Sequence, residues 1–186
     1  METPDDAADK VIVAKVMNGD TDAYSEIVQR YQPKLHRYVT YLIHNQSSAY
    51  DIEQDTFIKA YQNLRSFNPN YKFSSWIYRI AHNETMNAIK KVRYVTDVDI
   101  TTYADVEYAS LMADKLDASI LKAHVDGCIN KLDPKYREVI QLIYFERMKY
   151  DEASEVLRVP TSTVGVWVSR AKKQLKAICE QKGIKR

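Results

Sequence analysis

The sequence predicts an all-α protein of two small helical domains joined by an acidic flexible linker, and three observations carry that reading. Only four Gly and five Pro in 186 residues leave few of the breaks that strands and tight turns need. Apolar residues recur at steps of three and four along most of the chain, the period of helices buried on one side. Charge is unevenly spread: Met1 to Arg93 carries twelve Lys and Arg against eleven Asp and Glu, Tyr94 to Asp117 one against six, and Ala118 to Arg186 fourteen against eight. A near-neutral half, an acidic connector and a basic half set boundaries at 1–93, 94–117 and 118–186, with the basic half the candidate for nucleic acid.

The elements follow in order. Lys10 to Met17 reads as a first short helix ended by Asn18-Gly19, and Asp20 or Thr21 caps the next. That second helix carries Tyr24, Ile27, Val28, Tyr31, Leu35, Tyr38, Val39 and Leu42 on one broad face, with Pro33 expected to kink or interrupt it. Ser47 or Ser48 caps a third helix in which Ile52, Phe57, Ile58, Tyr61 and Leu64 face inward. Asp51, Glu53, Gln54 and Asp55 crowd its first turns, where acids also suit the helix dipole without any partner. Ser66 to Phe73 is a loop by its Asn-Pro-Asn content. A fourth helix, Ser74 to about Arg93, turns Trp76, Ile77, Ile80, Ala81 and Ala88 inward and closes on Lys90, Lys91 and Arg93. Beyond the acidic connector, Leu116 to Leu132 forms one helix, then Asp133 caps and Pro134 opens another that runs through Phe145.

The most informative stretch is Tyr150 to Leu175. Asp151 to Leu157 forms a short helix burying Ala153, Val156 and Leu157, a tight connection follows at Arg158-Val159, and Pro160 sets up a second helix with Thr161 and Ser162 available as caps. Val164, Val168, Ala171 and Leu175 recur at helical spacing and face the core, so Ser162, Thr163, Val166, Ser169, Arg170 and Lys173 point outward. Such a row, short-chained first and basic behind, suits a recognition helix that approaches base edges with its N-terminal end and phosphates with its C-terminal end. An ordinary surface hairpin with a solvated basic face would carry the same pattern, so the rest of the chain has to decide.

Several function classes are excluded at this level. His36, His44, His82 and His124 are scattered, with no His-x-x-His, paired-carboxylate or Gly-rich phosphate motif, so no catalysis, no metal and no cofactor is expected. Cys128 and Cys179 lack metal-ligand spacing and read as core residues of a reduced cytosolic protein. The start Met-Glu-Thr-Pro-Asp-Asp is acidic, unlike a signal peptide, and no apolar run approaches the ~18 residues of a membrane span.

The run Phe73-Ser-Ser-Trp76-Ile-Tyr-Arg79-Ile-Ala81-His-Asn83 strongly resembles the Phe-x-x-Trp-Leu-Tyr-Arg-Ile-Ala-x-Asn signature of the second conserved region of extracytoplasmic-function (ECF) sigma factors, the smallest sigma-70-type initiation subunits of bacterial RNA polymerase. Asn18-Gly19-Asp20-x-x-Ala23-Tyr24 resembles the family's Gly-Asp-x-x-Ala-Phe entry. Asp51-x-x-Gln54-Asp55-Thr56-Phe57-Ile58-Lys59-Ala60-Tyr61 resembles Asp-x-x-Gln-Glu-x-Phe-x-x-Ala-Trp. Leu132-Asp-Pro-x-x-Arg137-x-Val139-Ile140 resembles the start of the fourth region, and Pro160-x-x-Thr163-Val164 with Arg170-Ala171 its DNA-reading end. These motifs fall in family order over nearly the whole chain, which a free-standing helix-turn-helix regulator would not explain.

The resemblance implies an initiation factor that binds core RNA polymerase, at the beta-prime clamp and the beta flap, and opens promoter DNA without hydrolysis. The polar face carrying Asp51, Glu53, Gln54 and Asp55 would grip the clamp coiled coil. The loop and following helix, through Asn68, Tyr71, Lys72, Phe73, Arg79 and Asn83, would take a base extruded from the -10 element. There an amide can read a Watson–Crick edge, and Tyr71 and Phe73 can stack. Trp76, in register with Ile77 and Ile80, is core rather than a stacking platform. Lys90, Lys91 and Arg93 would hold phosphates upstream, or simply complement their helix dipole. Thr161, Ser162, Thr163, Val166, Arg170, Lys172 and Lys173 would meet the -35 element. The connector from Tyr94 to Asp117 either imitates nucleic acid inside the polymerase channels or is a disordered acidic spacer; the two readings stand level. An anti-sigma protein is implied as a partner, holding a cytoplasmic, nucleoid-associated chain at the inner membrane, and no small-molecule substrate is implied.

One departure stands out. Where the family commonly has Gly-Thr-Val-Lys-Ser-Arg-Leu, this chain has Ser162-Thr-Val-Gly165-Val166-Trp167-Val168, so a Gly and a Trp replace usual basic positions. Gly inside a helix costs about 1 kcal/mol against Ala. Val166 can pack on a thymine methyl, and the electrostatic grip shifts to Arg170, Lys172, Lys173 and Lys176.

Overall fold

The computed structural model describes residues 4–43, 46–96 and 125–181, and among them there are helices and turns but no strand. Contacts divide the chain into two units, Met1–Thr102 with Asp151–Arg158, and Tyr103–Tyr150 with Val159–Arg186.

In the first unit α1 spans Pro4–Met17, starting six residues earlier than the apolar pattern predicts. Pro4 stands at the first turn, where a missing N–H is not needed. The extra length has its own inward face, because Asp6 and Asp9 are buried alongside Ile12, Val13 and Val16. Asp9 tolerates burial because Tyr31 donates its hydroxyl to Asp9 Oδ2 at 2.5 Å and Arg30 pairs with Oδ1. The helix ends as predicted at Asn18-Gly19, with Gly19 at φ 104°, a left-handed position that favours glycine. Asp20 then accepts from the Ala23 amide at 3.2 Å and caps a short 3₁₀ turn, Thr21–Ala23.

Helix α2, Tyr24–Ile43, continues through Pro33 rather than stopping there. Pro33 and Gln29 are both exposed, so water can take up the Gln29 carbonyl that a proline cannot serve. Helix α3 spans Gln46–Gln62, which puts Ser47 and Ser48 inside the first turn instead of at a cap. A 3₁₀ turn, Leu64–Ser66, leads into a loop, and α4 runs over Phe73–Thr96, three residues past the predicted end. Helices α2, α3 and α4 pack pairwise, with α1 against α2 and α4. Ile27, Leu35, Tyr38, Val39, Ile77, Tyr78 and Ala81 form the centre, and Tyr38 meets Tyr78 edge-on at 5.1 Å.

In the second unit residues 125–129 are helical (α5) and a turn follows; the remainder of the predicted 116–132 helix, and the connector from residue 97, lie outside the described residues. The Arg137 guanidinium donates to the carbonyls of Asn130 and Leu132 at 2.5 and 3.3 Å, tying this corner down. Helix α6, Pro134–Ile140, opens at Pro134 as predicted, with Asp133 at the cap position but making no side-chain cap bond, and widens into a π turn, Gln141–Phe145. Helix α7 covers Tyr150–Leu157, its residues from Asp151 onward belonging to the first unit, and α8 covers Thr161–Gln181 in the second, where α6 packs on α8. Cys128 is core, as expected, whereas Cys179, also expected in the core, is partly exposed.

Candidate functional site

Helix α3 presents two faces of different chemistry. Its inward face includes Glu53 and Thr56 as well as Ile52, Phe57 and Ala60. Thr56 returns its hydroxyl to the Ile52 carbonyl at 2.7 Å, and Glu53 Oε2 lies 2.9 Å from His36 Nδ1, with the Tyr50 ring over the imidazole at 4.3 Å. Glu53 therefore leaves the predicted polar row: it is 3% exposed and already partnered. Asp51, Gln54 and Asp55 remain exposed.

The same rotation corrects a second expectation. Ile58 and Tyr61, predicted to face inward as apolar residues, are 53% and 43% exposed. Polar residues had taken the inward register, and spacing then sends Ile58 to the side of Asp51, Gln54 and Asp55. Ile58 and Tyr61 line an open groove with Tyr24, Val28 and Phe57. Tyr24 fixes its floor by donating to the Phe57 carbonyl at 2.8 Å, while its ring meets Tyr61 edge-on at 5.0 Å. Burial pushes the Tyr24 hydroxyl pKa up, so it stays a donor. The result is an apolar strip bordered by acids. The signal available in sequence was the placement of Glu53 and Thr56 on a face otherwise made of Ile, Phe and Ala.

Beside α3, the loop from 67 to 72 hangs between two aromatic anchors. Phe67 and Phe73 meet edge-on at 5.4 Å, both contact Trp76, and Phe73 also meets the Tyr31 ring at 5.6 Å. Trp76 is core, as predicted. Phe73 is not a stacking platform: at 1% exposure it anchors the loop from below. Tyr71 is 52% exposed and Asn68 is exposed, with the Tyr71 amide donating to the Asn68 carbonyl at 3.0 Å and the Asn70 amide to Asn68 Oδ1 at 3.0 Å. Lys72 is engaged: its Nζ lies 2.7 Å from Asp6 Oδ2 and 3.0 Å from Glu152 Oε1. Along α4, Arg79 and Asn83 are half-buried, and Lys90 and Lys91 are exposed. Steps of four and seven put Arg79, Asn83 and Lys90 on one stripe. The Arg93 side chain lies outside the described residues.

The two helices and the turn predicted over Tyr150 to Leu175 are present. Ala153, Val156 and Leu157 are buried on α7, and Val164, Val168 and Ala171 on α8, while Leu175 is half-buried. Arg158 turns the chain at φ 54°, a left-handed position for a non-glycine residue. The Pro160 carbonyl then accepts from the Thr163 and Val164 amides at 2.8 and 3.1 Å, so Thr161 and Ser162 fall in the first turn rather than at a cap. Thr161, Ser162, Val166, Arg170, Lys172 and Lys173 are exposed and Thr163 is half-buried. Lys172 Nζ lies over the Tyr144 ring, 5.3 Å from its centre, and its hydrogen bond to the Tyr144 hydroxyl raises its pKa. That contact joins the π turn to α8. Gly165 faces the Tyr150 ring, whose Cε2 would stand 3.6 Å from an added Cβ. Among the described residues no group of His, Cys, Asp and Glu could hold a metal, and no helix is long and apolar enough to cross a membrane.

Comparison with known proteins agrees with this arrangement. The Sigma-70 region 2 family matches residues 27–94, and the Sigma-70, region 4 family matches residues 124–175. ECF RNA polymerase sigma factor SigW of Bacillus subtilis is 35% identical over 173 residues, 88% of this chain and 92% of that protein. RNA polymerase sigma-H factor of Pseudomonas aeruginosa is 27% identical over 176 residues, 90% of this chain and 91% of that protein. Among solved structures, CnrH in complex with the cytosolic domain of CnrY superposes with a TM-score of 0.71 at 25% identity, over 94% of this chain and 98% of that one. Two sigma-70 regions in order, a relative at this identity over most of both chains, and a shared helical fold make this chain a member of the ECF RNA polymerase sigma factors of the sigma-70 family.

Proposed function

We propose that this sigma factor divides its work between two domains, 1–93 for core polymerase and the -10 element and 118–186 for the -35 element, joined by the acidic connector 94–117. It directs promoter-specific transcription initiation as a subunit of RNA polymerase. Its family is not known for enzymatic activity, and we read the chain as catalysing nothing by itself: binding energy spent on extruded bases of one DNA strand opens the duplex.

The observation that carries the residue-level reading is the outer face of α3, an apolar strip of Ile58 and Tyr61 bordered by Asp51, Gln54 and Asp55. The complement on the polymerase clamp would be a coiled coil with apolar ridges flanked by basic residues, so that the buried centre supplies affinity and the acidic rim supplies orientation. Asn68, Tyr71, Arg79 and Asn83 would then receive the -10 strand, with Lys90 and Lys91 on phosphates. Thr161, Ser162, Thr163 and Val166 would approach -35 base edges with Arg170 and Lys173 behind them. Lys172, held by Tyr144 on the π turn, contacts phosphate only from that fixed position.

CnrH was solved with the cytosolic domain of CnrY bound. By that likeness we infer a regulatory anti-sigma partner here too, one able to hold a cytoplasmic chain at the inner membrane.

The test is to mix the purified chain with sigma-free core polymerase and genomic DNA from its source and to sequence transcript 5′ ends. Discrete new starts sharing two spaced upstream elements are expected. Failure to bind core, or binding only as a dimer to palindromic DNA, would overturn the reading.

A further inference from the structure

Helix α1 lies outside residues 27–94, the span the region 2 family matches. It nonetheless carries two buried carboxylates, Asp6 at 5% and Asp9 at 0% exposure. Neither is needed to form the helix, and each makes a directed contact with a different support of the loop 67–72. Asp6 Oδ2 is 2.7 Å from Lys72 Nζ, the last residue of that loop. Asp9 accepts the Tyr31 hydroxyl at 2.5 Å, and the Tyr31 ring braces Phe73, the anchor directly after Lys72.

We propose that Asp6 is a positioning residue for -10 recognition: through Lys72 it fixes the path of the loop bearing Asn68 and Tyr71, with Asp9 and Tyr31 as its footing. The inference rests on the reading of 67–72 as the loop that takes the extruded base. A lysine whose side chain is 26% exposed and whose ammonium is held by a carboxylate of 6% exposure is restrained more than a solvated lysine. Recognition of an extruded base depends on placing side chains to within a fraction of an ångström. Lys72 thus acts as a tether, and Glu152 holds the same ammonium from a second side at 3.0 Å, so loss of Asp6 re-aims the tether instead of releasing it. The consequence is a change in which bases are accepted, more than in whether DNA is bound.

The test uses the full chain in holoenzyme, transcribing a promoter taken from start-site mapping whose -10 positions have been randomised. Asp6→Asn should flatten base preference at one or more -10 positions by about fivefold, with core affinity, measured on the folded fraction, unchanged. In a Lys72→Met background the same Asp6→Asn substitution should change preference no further, because the tether is already gone. Preserved base preference in Asp6→Asn would overturn the proposal, and so would a loss of preference, core binding and thermal stability in proportion, the mark of a purely structural role. Tyr71→Ala separates the underlying reading: if it leaves opening and preference intact, residues 67–72 are not the recognition loop. If Tyr71→Ala impairs opening while Asp6→Asn alters nothing, the loop reading stands and the role of Asp6 falls.

Discussion

Glu53 Oε2 lies 2.9 Å from His36 Nδ1, joining α3 to α2 inside the first unit and removing one carboxylate from the face proposed to meet polymerase. Replacing Glu53 by Ala leaves the imidazole without its partner and should lower stability by about 1–3 kcal/mol. Core affinity, measured on the folded fraction, should hold. Asp55→Ala should do the reverse, weakening core binding about three- to tenfold with the thermal midpoint unmoved. Equal effects of the two substitutions on both measurements would refute the assignment of faces.

Ile58 gives a sharper contrast because it is apolar yet 53% exposed. Ile58→Asp should be accepted by the fold, with stability within about 0.5 kcal/mol of the parent. If the strip is the centre of the polymerase contact, the substitution should weaken core binding by about tenfold or more in a titration with labelled core enzyme. A large stability loss without a binding defect would return Ile58 to the core.

Gly165 has room for a methyl group, since the nearest Tyr150 ring carbon would stand at an ordinary contact distance of 3.6 Å. Gly165→Ala should therefore stabilise α8 by about 1 kcal/mol, the helix-propensity difference, and raise the thermal midpoint by a few degrees. A decrease would mean that the Tyr150 ring needs the space. Binding of -35 DNA by this variant, measured alongside, tells whether the glycine serves close DNA approach as well.

Asp9 yields a pH signature. Burial pushes its carboxyl above the ordinary 3.8, against the pull of its hydrogen bonds to Tyr31 and Arg30. The folded state therefore holds this proton more tightly than the unfolded chain does. The contribution of Asp9 to stability falls as pH rises through the window between 3.8 and its raised folded value, and is regained as pH drops. Asp9→Asn removes the group that titrates in that window. The thermal midpoint of the parent relative to Asp9→Asn should climb as pH is lowered toward 4, and a difference that is flat or falls would show Asp9 to be charged in the fold at those pH values.

Much of this was legible in the sequence because the relevant signals are local. The Asn18-Gly19 stop, the Asp20 cap, the Asp133-Pro134 start and the Val164, Val168, Ala171 stripe each depend on a few neighbouring residues, and each appears where spacing put it. The misreadings share another cause: whether a polar residue is inside depends on a partner distant in sequence. Glu53 turns inward because His36 on α2 receives it, Thr56 beside it being satisfied within the helix by the Ile52 carbonyl, and this rotates Ile58 and Tyr61 to the surface. Phe73 reads equally well as a platform or an anchor until Tyr31 and Phe67 are seen on it. The early start of α1 was hidden likewise, its inward residues being acids whose partners, Arg30, Tyr31 and Lys72, come from other elements.

The aromatic anchoring of the loop bears on how such a protein can change over generations. Phe67 and Phe73 clasp each other at 5.4 Å and hold both ends of the segment in the core, so Asn68 to Tyr71 contribute little to holding the domain together. On the proposed reading of this loop as the one that takes the -10 base, a lineage could exchange those few residues, and with them the genes it switches on, without first acquiring mutations that rescue the fold.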